Sequence, residues 1–135
     1  MEEVKLGETP NDNLKEIELI FENIKYRCEI QKDQDKLLIS VYNNKKKYKG
    51  IIHIYYIQYQ LGVLNFNIDD VYRSIYILNK NKFKLMKDEN KYKLKIEFII
   101  LDKKRYINIE LYDNINNNND EYIKEIIKAF NIFKD

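Results

Sequence analysis

Residues 82–113 read KFKLMKDENKYKLKIEFIILDKKRYINIELYD, and this stretch decides the fold class. From Tyr92 the apolar residues fall on alternate positions: Tyr92, Leu94, Ile96, Phe98 and Ile100. Lys91, Lys93, Lys95 and Glu97 lie between them. A period of two places these sets on opposite faces of a pleated strand, one face for a core and one for water. From Phe98 to Leu101 both faces are apolar, so this end is expected to be covered on both sides. Asp102, Lys103 and Lys104 read as a turn, after which Ile107, Ile109 and Leu111 resume the alternation. Upstream, Lys87 to Asn90 is a second turn, preceded by a shorter strand with Phe83 and Leu85. Alternating strands joined by tight polar turns make an antiparallel meander.

A second meander precedes the first. Ile17, Leu19 and Phe21 alternate with Glu16, Glu18 and Glu22, although Leu14, Ile17, Phe21 and Ile24 also sit at helical spacing. The strand reading is preferred because Ile24, Tyr26, Cys28 and Ile30 continue in period two, with Asn23 marking a turn or bulge. Leu37, Ile39 and Val41 give a third strand, and Tyr48, Gly50, Ile52 and Ile54 a fourth, across a turn at Asn43 to Lys46. Between the meanders lies a helical insert near residues 56–79. Tyr55 to Leu61 reads as a short helical turn closed by a left-handed Gly62. Asn67 is a good N-cap, followed by the acidic Asp69 and Asp70 and by a stripe of Ile68, Val71, Tyr72, Ile75 and Leu78. After an Asn-rich loop at 114–119, Asp120 opens a final helix near 120–134. Its apolar stripe includes Ile123, Ile127 and Phe130.

The expectation is an α+β fold: two antiparallel β-meanders, about seven strands in a sandwich or barrel, with a helical insert and a C-terminal helix. At 135 residues the chain fits one domain, 14–135, behind a flexible tail at 1–13. A chain of this length can bury a core without disulfides or metals. The net charge of +2 sets up no strong overall field. It is unevenly spread, at −5 over residues 1–23 and +6 over residues 80–105. The basic region is either a contact surface or a complement to the acidic N-terminus. Ile, Lys, Asn and Tyr together exceed half the chain, as an AT-rich genome would produce, which discounts their abundance as a functional signal.

The search for chemistry is short. Cys28 is the single cysteine, so an internal disulfide and a multi-Cys metal site are excluded. His53 is the single histidine, and it reads as structural. Cys28 with His53 is the one nucleophile–base candidate, with no third orienting group. Gly7, Gly50 and Gly62 do not cluster into a phosphate loop. No catalytic residue, metal ligand or cofactor is therefore assigned. The absence of a signal segment and of any apolar run near the ~18 residues of a membrane span points to a cytoplasmic protein.

Two basic surfaces remain. Lys45, Lys46, Lys47 and Lys49 surround a hairpin turn and suit an acidic membrane lipid. Lys91, Lys93 and Lys95 suit nucleic acid less well, because Tyr92 points to the opposite face. Pleckstrin-homology-like domains bind phosphoinositides through a basic turn of the first kind, and the layout here resembles theirs loosely. The order of elements more closely resembles the globular heads of the centriolar cartwheel and end-joining scaffold superfamily. The stretches that carry the resemblance are KLLISVYNNKKKYKGIIHI, then FKLMKDENKYKLKIEFIILDKKRYINIEL, then DEYIKEIIKAFNIF. It implies a non-catalytic module for self-association or partner docking, with a long coiled coil to follow; this sequence stops at Asp135. Ile99, Leu101, Ile123, Ile127 and Phe130 are the expected interface with a protein partner or a second copy.

Overall fold

The alternation is realised as seven antiparallel strands and two α-helices in a computed structural model that describes residues 14–113. The strands are β1 (Leu14–Phe21), β2 (Ile24–Asp33), β3 (Lys36–Tyr42), β4 (Lys47–His53), β5 (Phe83–Asp88), β6 (Lys91–Ile100) and β7 (Lys103–Asp113). Helices α1 (Ile54–Leu61) and α2 (Ile68–Ile77) fall between β4 and β5, with a 3-10 turn at Lys80–Lys82. The expected tail at 1–13, the Asn loop and the final helix lie outside the described residues.

Turn chemistry sets the hairpins. Glu22 and Asn23 take φ of 53° and 66°, and Leu101 and Asp102 take 53° and 65°. Two successive positive φ values give the twist that matches paired strands. The β6–β7 turn is therefore Leu101–Asp102. Lys103 and Lys104, expected in the turn, already belong to β7 and pair with Ile100 and Ile99. The longer β3–β4 turn is closed by Asn43, whose N–H donates to the Lys46 carbonyl at 2.9 Å. Its side-chain oxygen accepts from the N–H groups of Lys45 and Lys46, both at 2.8 Å.

The sheet order is β1-β2-β3-β4-β7-β6-β5. The first meander thus joins the second through β4 and β7, along only two paired positions, Tyr48–Asp113 and Lys49–Tyr112. At the next residue, Gly50, the backbones still approach so closely that a Cβ would stand 2.6 Å from the Glu110 carbonyl oxygen, and beyond it no further residues of the two strands pair. Helix α1 packs against both strands in the gap. Its Gln60 amide does what a neighbouring strand would do: it donates to the Asn108 carbonyl at 3.2 Å and accepts from the Asn108 N–H at 2.8 Å. The edge of β7 is thereby kept from standing unpaired.

On the far side β5 returns alongside β1, so the sheet nearly closes into a barrel. Lys15 pins the join. Its ammonium donates to the carbonyls of Tyr76 (2.7 Å) and Leu78 (3.0 Å) and lies over the Phe83 ring. Burial there lowers the Lys15 pKa from its ordinary value.

The core is the inward set the alternation names: Cys28 and Ile30, Leu37 to Val41, Leu94 to Phe98, and Ile107 to Leu111 at every second position. Ile54, Ile57 and Leu61 of α1, with Val71, Tyr72 and Ile75 of α2, complete the same cluster. At ~25 cal/mol per Å² this burial is the main stabilising term. The helical insert agrees with expectation at its caps, but Ile54, expected at the end of the fourth strand, opens α1 behind the His53 cap. Gly62 ends α1 at φ 74°, and the Asn67 side chain accepts from the Asp70 N–H at 2.8 Å.

Candidate functional site

The two ends of the barrel carry different surfaces, because the meander sends alternate turns to opposite ends. One end bears the β6–β7 turn. The other bears the β3–β4 turn together with the end of β7.

At the first end the outer face of Phe98–Leu101 is uncovered among the described residues. Phe98 is buried and Ile100 partly so, but Ile99 is 62% exposed and Leu101 90% exposed. Ile99 stands opposite Lys104 and is followed around the turn by Lys103 and Arg105. The tip is apolar and ringed by cations. Leu101 also occupies a left-handed position that suits Asn, Asp or Gly far better than a side chain branched like leucine. Of the expected interface residues the structure thus brings together Ile99 and Leu101; Ile123, Ile127 and Phe130 lie outside the described residues.

The second end carries Lys45, Lys46 and Lys47 around their turn. Lys49 sits apart, part-buried on the outer face of β4 opposite Ser40. Two clefts flank the turn. One, of about 340 Å³, is lined by Tyr42 through Lys47 and by Asp113. The other, of about 500 Å³, is lined by Glu18, Lys25, Tyr26, Arg27, Tyr42, Asn43 and Asn44. Sequence spacing names Lys45 to Lys47 but misses Lys25 and Arg27, which reach this end only through the β2–β3 pairing.

The third candidate, the lysine row of β6, is tied into the fold. Lys91 pairs with Glu110 at 3.8 Å, Lys93 with Asp88 at 3.9 Å, and Lys82 with Glu97 at 3.2 Å. Lys95, directly opposite Lys84, lies 4.3 Å from the centroid of the Tyr106 ring. Tyr92 faces inward as its alternation requires, 4.5 Å from the Tyr48 ring. The expected separation of Tyr92 from the lysines holds, but β7 adds other rings to the lysine face. Its Tyr106 and Tyr112 sit on the lysine face, where Lys95 and Lys91 lie over their rings.

The nucleophile–base pair does not form. Cys28 is fully buried on the inward face, paired with Ile17 and Val41, and burial pushes its thiol up to about 12. His53 ends β4 on the outer face, opposite Lys36. Both of its ring nitrogens serve the fold. Nδ1 accepts from the Tyr55 N–H at 3.2 Å and caps α1, and Nε2 meets Asp35 at 3.0 Å. With Nδ1 an acceptor, Nε2 carries the proton and donates to the carboxylate. Among the described residues no group of three or more His, Cys, Asp or Glu side chains is placed to hold a metal ion. Nor is any helix among them long and apolar enough to cross a membrane.

No protein-family model, curated protein or solved structure matches this chain. Its class is therefore defined by its own geometry: an α+β, nearly closed antiparallel barrel whose two meanders are bridged by a helical insert.

Proposed function

We propose that this chain is a non-enzymatic, cytoplasmic interaction module that self-associates through the tip of the β6–β7 hairpin. The observation that carries the reading is Leu101. It combines a left-handed backbone, costing roughly 1 kcal/mol, with an aliphatic side chain 90% exposed. Among the described residues Leu101 stays almost wholly exposed, whereas burial against a second copy would offset both costs. Ile99 extends the apolar tip along the same hairpin, and both residues stand on a rigid two-stranded frame. The order of elements supports a scaffold role. Four strands, a helical pair and three strands are the arrangement that the resemblance to cartwheel and end-joining heads implies. His53 supports the non-enzymatic part, since its two ring nitrogens are engaged in capping α1 and holding Asp35.

Sedimentation equilibrium over a wide concentration range tests the reading. The wild-type chain should form dimers or larger species, and an Ile99→Thr/Leu101→Asn variant should remain monomeric with its fold intact. A wild-type chain that stays monomeric at the highest concentration, or a variant that associates equally well, would refute it.

A further inference from the structure

The β3–β4 end of the barrel carries a feature that self-association at the opposite end does not use. Lys45, Lys46 and Lys47 are consecutive in one turn, and like charges this close repel. Lys45 and Lys46 form no ion pair among the described residues, and Lys47 lies 5.7 Å from the Tyr42 ring centroid. Lys25, across the ridge, is likewise without an ion pair among them. The turn that holds the lysines is rigid, because Asn43 closes it with three hydrogen bonds. The three lysines therefore project from one ordered stretch of backbone. The two clefts share Tyr42, Asn43 and Asn44 as a common ridge. Five cations line them, namely Lys25, Arg27, Lys45, Lys46 and Lys47, against the carboxylates of Glu18 and Asp113. Arg27 is held in place by Glu16 at 2.5 Å, and Tyr42 donates to Glu29 at 2.8 Å, so the wall between the clefts is braced.

We infer that this end binds a multiply phosphorylated small ligand or headgroup that straddles the Asn43–Asn44 ridge. One phosphate faces Lys45 and Lys46 and another faces Lys25. Two features favour such a ligand over a single phosphate: cationic groups stand on both sides of the ridge, and the clefts are of small-ligand size. Asn44 lines both clefts. Glu18 and Asp113 lie at the flanks and would repel an anion placed there, which centres the ligand on the ridge.

Titration calorimetry at low salt with inositol hexakisphosphate as probe should give one ligand per chain. Lys45→Gln/Lys46→Gln should weaken binding by about tenfold or more, and Lys25→Gln should weaken it as well. Lys103→Gln/Lys104→Gln, at the other end of the barrel, should leave it unchanged. The thermal midpoints of the free variants check that all three fold. Flotation with phosphatidylcholine vesicles carrying phosphatidylinositol bisphosphate, compared with phosphatidylserine at matched charge, separates the two sources of this chemistry. Selective flotation with the bisphosphate assigns a lipid headgroup, and calorimetric binding without flotation assigns a soluble polyphosphate. No heat of binding, or an equal loss in the Lys103/Lys104 variant, overturns the site.

Discussion

Replacing Gly50 with alanine tests the strand-paired junction of the two meanders, between β4 and β7. A Cβ there would lie 2.6 Å from the Glu110 carbonyl oxygen, 2.9 Å from Leu111 Cδ2 and 3.2 Å from Ile109 Cγ2. The leucine methyl can rotate away. The carbonyl oxygen cannot, because it belongs to the backbone of β7. Relieving the clash requires β7 to move from β4, and only Tyr48–Asp113 and Lys49–Tyr112 pair them. Overpacking a filled site costs roughly 1–3 kcal/mol, and a backbone clash belongs at the upper end. The lower entropy of an unfolded alanine chain returns about 0.4–1 kcal/mol. The net expectation is a loss of about 2 kcal/mol, a large part of the ~5–15 kcal/mol typical of a domain. Urea unfolding followed by far-UV circular dichroism reads this as a lower midpoint with an unchanged slope. Gly62→Ala is the control. Its φ is positive, but the new Cβ meets only the Arg105 guanidinium at 3.3 Å, so a loss of about 1 kcal/mol is expected. A Gly50→Ala chain as stable as wild type, or more stable than Gly62→Ala, would refute the account of the β4–β7 junction.

Three further outcomes are expected. Leu101→Asn should leave stability unchanged or raise it by up to ~1 kcal/mol in the same urea assay, since the side chain is 90% exposed and asparagine suits a left-handed turn; a clear loss would show that Leu101 supports the barrel. His53→Ala removes the cap of α1 and the Asp35 contact together, and should cost about 1–2 kcal/mol, with thermal unfolding as the measurement. Stability should fall at alkaline pH. Burial raises Cys28 from 9.0 to about 12 and raises Tyr26 and Tyr48 above 10.0, so the unfolded chain releases protons that the folded chain retains. The contribution is fully present below pH 9 and is lost as pH rises from 9 toward 12, and a Cys28→Val chain should show a shallower decline.

Much of the fold was legible along the chain. Period two names the inward face of the strands, because one residue of register moves a side chain from core to solvent; the exceptions are Ile24, which is exposed beside its turn, and Ile54, which belongs to α1. Gly62 and Asn67 mark a helix end and a helix start through purely local requirements, a positive φ and a side-chain oxygen that accepts from a first-turn N–H. The β6–β7 turn was misplaced because Leu101 is an unlikely residue for a left-handed position, so Lys103 and Lys104 looked like better turn formers.

The candidate surfaces divide along the same line. The exposed pair Ile99 and Leu101 could be named from sequence, since a doubly apolar strand end needs a cover that its own strand cannot supply. The second site could be named only in part, as the basic turn of Lys45, Lys46 and Lys47. Lys25 and Arg27 join Lys45 to Lys47 only because β2 pairs with β3 and β4 follows, and the rings of Tyr106 and Tyr112 reach the lysines only across β7. Alternation tells a side chain which face it occupies and says nothing of which strand will lie beside it. The sequence by itself determined the elements, their faces and their caps, which depend on neighbours a few residues away. Only the tertiary structure decided that β4 meets β7 at Gly50, that Gln60 fills the gap beside them, and that scattered cations gather at one end of the barrel, since these depend on contacts between residues far apart in the chain.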